Sequence, residues 1–305
     1  MEAVALGYDG ELYILAFDHR GSFQKGLFGI EGDPGPEDTA RIADAKAVIF
    51  EGLQRALDRG APRDAAGMLV DEQYGADLAR TARKDGLILA MPVEKSGQDE
   101  FDFEFGEAFG QHIEEFDPTF AKVLVRYNPD GDREMNARQL VRLEHLSTWL
   151  HERDRKFLFE LLVPALPEHL QAAGGDTERY DREVRPGLML QAIHDLQERG
   201  VEPDVWKIEG LDRTEDCRAV AQVARSGGRD GVVCVVLGRG ANRDAVERWL
   251  RAGAAVPAFV GFAIGRTIWH EPLKALVDGS ASREEAATRI GETYRLMVDV
   301  YREAR

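Results

Sequence analysis

Three charged residues interrupt strongly apolar segments of this chain. Lys122 lies in FAKVLV, Glu160 in KFLFELL and Lys207 in DVWKI. Burying an unpaired ammonium or carboxylate costs several kcal/mol, so such groups are paired, chemically employed, or both. Lysine is scarce, with eight in 305 residues, which makes the two within apolar runs conspicuous. A desolvated lysine beside another cation has a lowered pKa and can attack a carbonyl to form a Schiff base. A neighbouring carboxylate can then move protons. The same trio could instead form an internal Lys–Glu–Lys ion network that fixes packing and does no chemistry. Spacing alone does not separate the two readings.

The elements that must hold these residues are legible as eight short apolar runs. They cover 12–17, 66–70, 87–91, 120–125, 156–162, 204–208, 232–237 and 259–263. Several are nearly continuous in hydrophobicity, as suits parallel strands covered by helices. Amphipathic segments fall near 37–59, 73–85, 104–115, 135–153, 178–199, 212–226, 241–252 and 282–303. Eight strands interleaved with helices predict a single (β/α)8 TIM barrel, taken as one domain over 1–305. The Gly/Pro cluster GIEGDPGPED at 29–38 reads as a long loop between the first strand and the first helix. On the sixth strand Val205, Lys207 and Glu209 share one face, opposite Trp206 and Ile208. If the bulky pair faces the helices, Lys207 points into the barrel, and Lys122 and Glu160 are expected to do the same.

Catalytic groups of this fold gather at the C-terminal ends of the strands. Charged residues recur there: Asp18, His19 and Arg20, then Asp71 and Glu72, then Glu94 and Lys95. Arg126, Glu209, Arg239 and Arg266 follow on later strands. Gly238-Arg239-Gly240 and Gly265-Arg266 follow strands seven and eight, the usual phosphate position of the fold. Backbone amides, a helix N-terminus and a guanidinium could hold an anion there. Lone fragments of this kind are common turns, and their joint placement is what favours phosphate. Of the seven histidines only His19 directly follows a strand, so a zinc site is not expected. Carboxylates at Asp18, Asp71, Glu72 and Glu94 leave a magnesium site open. The sequence contains no Walker loop, dinucleotide fingerprint or nucleophile elbow.

The formal net charge of −16 argues against electrostatic binding to nucleic acid or anionic lipid. Cys217 and Cys234 form neither a metal-ligand spacing nor a disulfide framework. No signal peptide or membrane-length apolar stretch is visible, and the cytoplasm is the expected location. A homo-oligomer is compatible with this reading.

The motifs ELYILAFDHRGSFQK, VDEQYG, MPVEKSGQDEFDFEFG, FDPTFAKVLVRYNPDGD, KFLFELLVP, PDVWKIEG, VLGRGA and GFAIGRTIW occur in order across the chain. Together they resemble the aldolase-like domain often fused to 5-dehydro-2-deoxygluconokinase, a kinase of inositol catabolism. That domain is similar to class I aldolases of the tagatose 1,6-bisphosphate and sulfofructose phosphate type. The resemblance implies a Schiff-base lysine at Lys207, with Glu160, Lys122 and Asp18 as the other catalytic residues and no cofactor. It implies phosphate contacts at Gly265 and Arg266. His19, Arg20, Glu72, Arg126, Gly238, Arg239 and Gly240 complete the expected substrate-binding set. His19 stands where those aldolases commonly carry glutamine, and Arg239 where they commonly carry serine. The implied partner is a small phosphorylated sugar. For the kinase-fused relatives the implied reaction is cleavage of 2-deoxy-5-keto-gluconate 6-phosphate to dihydroxyacetone phosphate and malonate semialdehyde. Two other classes stay open: a metal-assisted sugar-phosphate lyase or isomerase, and a barrel that binds a sugar phosphate without turnover.

Overall fold

Alternate residues of each apolar run have two different destinations, and this decides the architecture. In the computed structural model, which describes residues 6–305, Leu12, Ile14 and Ala16 pack with Phe120, Leu158, Val205 and Val235 in one enclosed cluster. The residues of opposite parity, among them Tyr13, Leu15, Phe159 and Trp206, pack outward in a much larger layer beneath the helices. Runs that are apolar on both faces satisfy both layers at once.

The strands are β1 (Leu12–Ala16), β2 (Ala66–Leu69), β3 (Ile88–Pro92) and β4 (Phe120–Arg126). They continue with β5 (Lys156–Leu162), β6 (Val205–Glu209), β7 (Val233–Leu237) and β8 (Phe259–Ile264). All neighbours are parallel and β8 pairs with β1, closing an eight-stranded barrel. The expected fold is the one observed, with each strand within a residue or two of its predicted limits. Register places Glu160 of β5 directly beside Lys207 of β6.

The helices are α1 (Gly21–Phe28), α2 (Pro36–Asp58), α3 (Glu72–Lys84), α4 (Phe109–Phe116), α5 (Arg133–His151) and α6 (Pro167–Ala172). After them come α7 (Thr177–Glu183), α8 (Arg185–Glu198), α9 (Thr214–Ala224), α10 (Arg243–Ala254), α11 (Arg266–Val277) and α12 (Arg283–Glu303). Three of these, α1, α6 and α11, have no counterpart in the sequence reading. The segment expected as one helix over 178–199 divides at Val184, where Pro186 starts a fresh helix. α12 opens on a capping box between Ser282 and Glu285. It lies close against α2, because a Cβ on Gly52 would meet Ile290 Cγ2 at 2.5 Å. The Tyr294 and Tyr301 hydroxyls donate to the backbone oxygens of Tyr13 and Phe259, each at 2.6 Å. Among the described residues no helix is long and apolar enough to cross a membrane.

Candidate active site

Strand parity carries the chemistry to one place. Lys122, Glu160 and Lys207 lie two residues beyond the inward-facing Phe120, Leu158 and Val205, so all three extend the barrel interior toward its C-terminal mouth. A cavity of about 850 Å³ opens above them. Its lining includes Asp18, His19, Arg20, Arg126, Gly238, Arg239, Gly240, Gly265 and Arg266 from the sequence-derived set.

The two lysines have different surroundings. Lys122 Nζ lies 2.8 Å from Asp18 Oδ2, 2.7 Å from Glu94 Oε1 and 3.1 Å from Glu160 Oε2. Burial alone would lower this ammonium, but the Asp18, Glu160 and Glu94 carboxylates outweigh it and hold the pKa above the ordinary lysine value. Among the described residues Lys207 Nζ pairs with a single carboxylate, donating to Glu160 Oε2 at 2.9 Å. One oxygen of Glu160 thus serves both lysines. Burial opposes ionisation of Glu160, yet Lys122 and Lys207 together keep its pKa below the usual range. Asp18 is lowered for the same reason, burial being overcome by Lys122, His19 and Lys207. Glu94 goes the other way, because burial and the adjacent Asp18 charge exceed what Lys122 supplies.

Each carboxylate that left a magnesium site open has a protein partner, although the buried Glu94 Oε2 has none among the described residues. Asp18 and Glu94 converge on Lys122, and Asp71 pairs with the buried Lys46. Glu72 does not reach the cavity, which corrects its place in the substrate-binding set. Asp71 caps α3 through the Tyr74 amide, and Glu72, one step on, turns outward to His112 Nδ1 at 2.8 Å.

At the β7 and β8 exits the two arginines also differ. The Arg239 guanidinium lies 2.7 Å from Asp181 Oδ2 and 3.0 Å from Glu209 Oε1, so its charge is already matched by protein carboxylates. Its backbone is left-handed, with φ of 52°. This residue therefore holds the loop rather than presenting a free guanidinium. Arg266 instead donates to the Arg239 backbone oxygen at 3.1 Å, and no carboxylate partner is found for it among the described residues. The guanidinium lies against Gly240, where a Cβ would come within 2.7 Å of Arg266 Cζ. Across the mouth, four strands away, Arg126 donates to the Gln98 backbone oxygen at 2.9 Å. Arg20 directs its terminal nitrogens to Glu104 and to the Glu94 backbone oxygen, both at 2.7 Å, which fixes the loop after β3.

Sequence reasoning left two contributors out of the site. Glu94 was visible as a strand-end charge but was left out of the site, although it lies two residues past β3, bridged to Phe103, and continues the inward alternation of Ala90. Lys46 was not singled out at all. It is fully buried in α2 and donates to the Phe17 and His19 backbone oxygens at 2.9 Å each, steadying the loop that carries Asp18. Its signal was a lysine amid the apolar positions of an otherwise regular amphipathic helix.

Comparison with known proteins shows what the chain as a whole is similar to. Tagatose 1,6-diphosphate aldolase 1 of Streptococcus mutans serotype c (strain ATCC 700610 / UA159) is 26% identical over 208 residues, covering 66% of this chain and 58% of that enzyme. This chain thus spans little more than half the length of that relative. Tagatose 1,6-diphosphate aldolase 2 of Enterococcus faecalis (strain ATCC 700802 / V583) is 24% identical over 291 residues, covering 88% of this chain and 82% of the enzyme. Among solved structures, fructose-bisphosphate aldolase from Plasmodium falciparum aligns with a TM-score of 0.66 at 12% identity, over 96% of this chain and 91% of that one. An archaeal fructose 1,6-bisphosphate aldolase aligns at 0.58 and 13% identity, over 96% and 94%. At these identities the structural likeness is one of fold. A family profile matches residues 6–305, nearly the whole chain. The chain belongs to the family described as "Uncharacterized protein conserved in bacteria (DUF2090)", whose member here is an aldolase-like (β/α)8 barrel.

Proposed function

We propose that this protein is a class I aldolase acting on a phosphorylated keto-sugar or keto-sugar acid, through a Schiff base at Lys207. The observation that carries the reading is the contact between Lys207 Nζ and Glu160 Oε2 at the floor of the cavity, 2.9 Å long. Lys122, tied to three carboxylates, keeps its protons and supports charge rather than attacking carbon. Lys207 has one such partner, and that partner is a base able to take its proton.

The steps follow from these contacts. Lys207 Nζ adds to the ketone carbon, and the carbonyl oxygen departs as water to leave an iminium. Glu160 removes the proton from the hydroxyl beyond the bond that will break. The electrons of that carbon–carbon bond move into the iminium, an aldehyde leaves and an enamine remains. Protonation of the enamine carbon and hydrolysis return Lys207 and release the ketone product. Lys122 keeps Glu160 ionised, and Asp18 in turn anchors Lys122 beside it. Arg266, with the amides of Gly240 and Gly265, supports a phosphate at one end of the substrate. The substrate we infer is 2-deoxy-5-keto-gluconate 6-phosphate, yielding dihydroxyacetone phosphate and malonate semialdehyde. Arg126 on the opposite rim suits its carboxylate end.

Borohydride trapping tests the proposal. Reduction in the presence of this ketose phosphate or of dihydroxyacetone phosphate should leave a stable adduct on the Lys207 peptide. An adduct on Lys122, or full cleavage activity with no adduct, rejects the assignment.

A further inference from the structure

His19 lines the cavity, but its Nδ1 is buried and has no hydrogen-bond partner among the described residues. The ring is fixed from three sides. Trp269 meets it edge-on, with centroids 5.5 Å apart and planes at 76°. A Cβ on Gly265 would clash with the Ala16 backbone oxygen and lie 3.2 Å from His19 Cε1, so the backbone contact demands glycine and the imidazole packs close beside it. Behind it, the His19 backbone oxygen accepts from Lys46. An imidazole held so firmly, with one nitrogen sealed off, has Nε2 left to meet a ligand.

The charges around the ring set its chemistry. Asp18 Oδ1 lies 3.9 Å from Nδ1, too far for a hydrogen bond but on that side of the ring. An anion there favours the tautomer with its proton on Nδ1, which leaves a lone pair on Nε2. Burial, opposed by Asp18 and Glu160 and reinforced by Arg266 and Lys207, lowers the imidazole to about 4. The ring is therefore neutral at physiological pH, an acceptor rather than a proton carrier.

Its position selects the group it accepts from. β1 neighbours β8, so His19 stands beside the loop that begins α11 with Arg266, and Lys207 lies within the reach of its field. A ligand with its phosphate at Arg266 and its ketone carbon on Lys207 passes this imidazole.

We propose that His19 is a catalytic residue that accepts, through Nε2, a hydrogen bond from the hydroxyl on the carbon next to the ketone. This rests on the Schiff base at Lys207 proposed above. That carbon becomes the enamine carbon, so gripping its hydroxyl sets the bond to be broken against the plane of the iminium. The site thereby selects phosphorylated α-hydroxyketones.

The test compares the rate of borohydride trapping of dihydroxyacetone phosphate with that of its deoxy analogue, hydroxyacetone phosphate. The wild-type protein should favour the hydroxylated compound about tenfold. His19→Phe should lower its trapping to the deoxy level while leaving the deoxy compound near its wild-type rate. His19→Gln, whose amide oxygen can accept, should retain a several-fold preference. A preference that persists in His19→Phe, or equal losses for both compounds, overturns the inference. If the wild-type protein traps neither compound, the aldolase reading itself fails and this inference falls with it.

Discussion

Lys122 and Lys207 share one carboxylate oxygen, yet removing them has unequal consequences. Lys122→Met leaves Asp18, Glu94 and Glu160 facing one another without their common cation. Breaking such a buried cluster costs about 3–5 kcal/mol, which should appear as a lower denaturant midpoint. Lys207→Met leaves Glu160 its contact with Lys122, so the loss of stability should be clearly smaller while imine formation disappears. Equal destabilisation by the two substitutions would contradict this division between a structural cation and a nucleophile. The same arrangement bears on metals. Asp18, Glu94 and Glu160 already surround a cation belonging to the protein, so aldol cleavage is expected to survive exhaustive chelation. Abolition by a chelator, with restoration by zinc or magnesium, would support a metal-assisted reaction instead.

At the scale of the elements, the phosphate argument rests on the paired exits of β7 and β8. Arg239 is held by Asp181 and Glu209, which leaves Arg266 as the guanidinium free of carboxylates at these exits, among the described residues. Arg266→Ala should lower kcat/KM for a phosphorylated ketose by about 30- to 150-fold, corresponding to about 2–3 kcal/mol. A non-phosphorylated analogue should lose little. Equal loss for both substrates would make Arg266 a support of the fold. These exits also mark the limit of what the sequence conveys. The strands were legible because residues apolar on both faces form continuous runs, and parity then aimed Lys122, Glu160 and Lys207 correctly. α11 was not, because Pro272 lies inside it and no acidic residue marks its first turn. α1 is short and carries glycines at 21 and 26, which removes the helical signature. Arg239 was legible as a strand-end charge, but its carboxylate partners come from α7 and β6, distant in sequence.

For the whole molecule, α12 ties the barrel shut through buried phenols. Burial raises Tyr294 and Tyr301, and burial assisted by Glu11 raises Tyr13 to about 12 despite Arg302. An unfolded tyrosine titrates near pH 10. A folded-state pKa above that value means the contribution is complete below about pH 10 and is lost as pH rises toward the folded pKa. Stability measured by denaturant should therefore hold up to about pH 10 and fall between about pH 10 and 12. Tyr294→Phe together with Tyr301→Phe should flatten that decline. An unchanged slope would assign the alkaline loss to other groups.

Barrel closure has a consequence for how the chain acquires this shape on the ribosome. Leu12 pairs with Gly261, and Tyr13 receives its helix-borne hydroxyl from Tyr294, so the first strand gains its last neighbour only after all the other strands have been made. Until then one edge of β1 presents unpaired amides and carbonyls, open to strands of other chains. Long-range pairing of this kind also slows folding, since the chain entropy must be overcome before the contact forms. The nascent protein is thus most exposed to aggregation just before β8 emerges, and that interval is where a chaperone that shields strand edges would raise its yield.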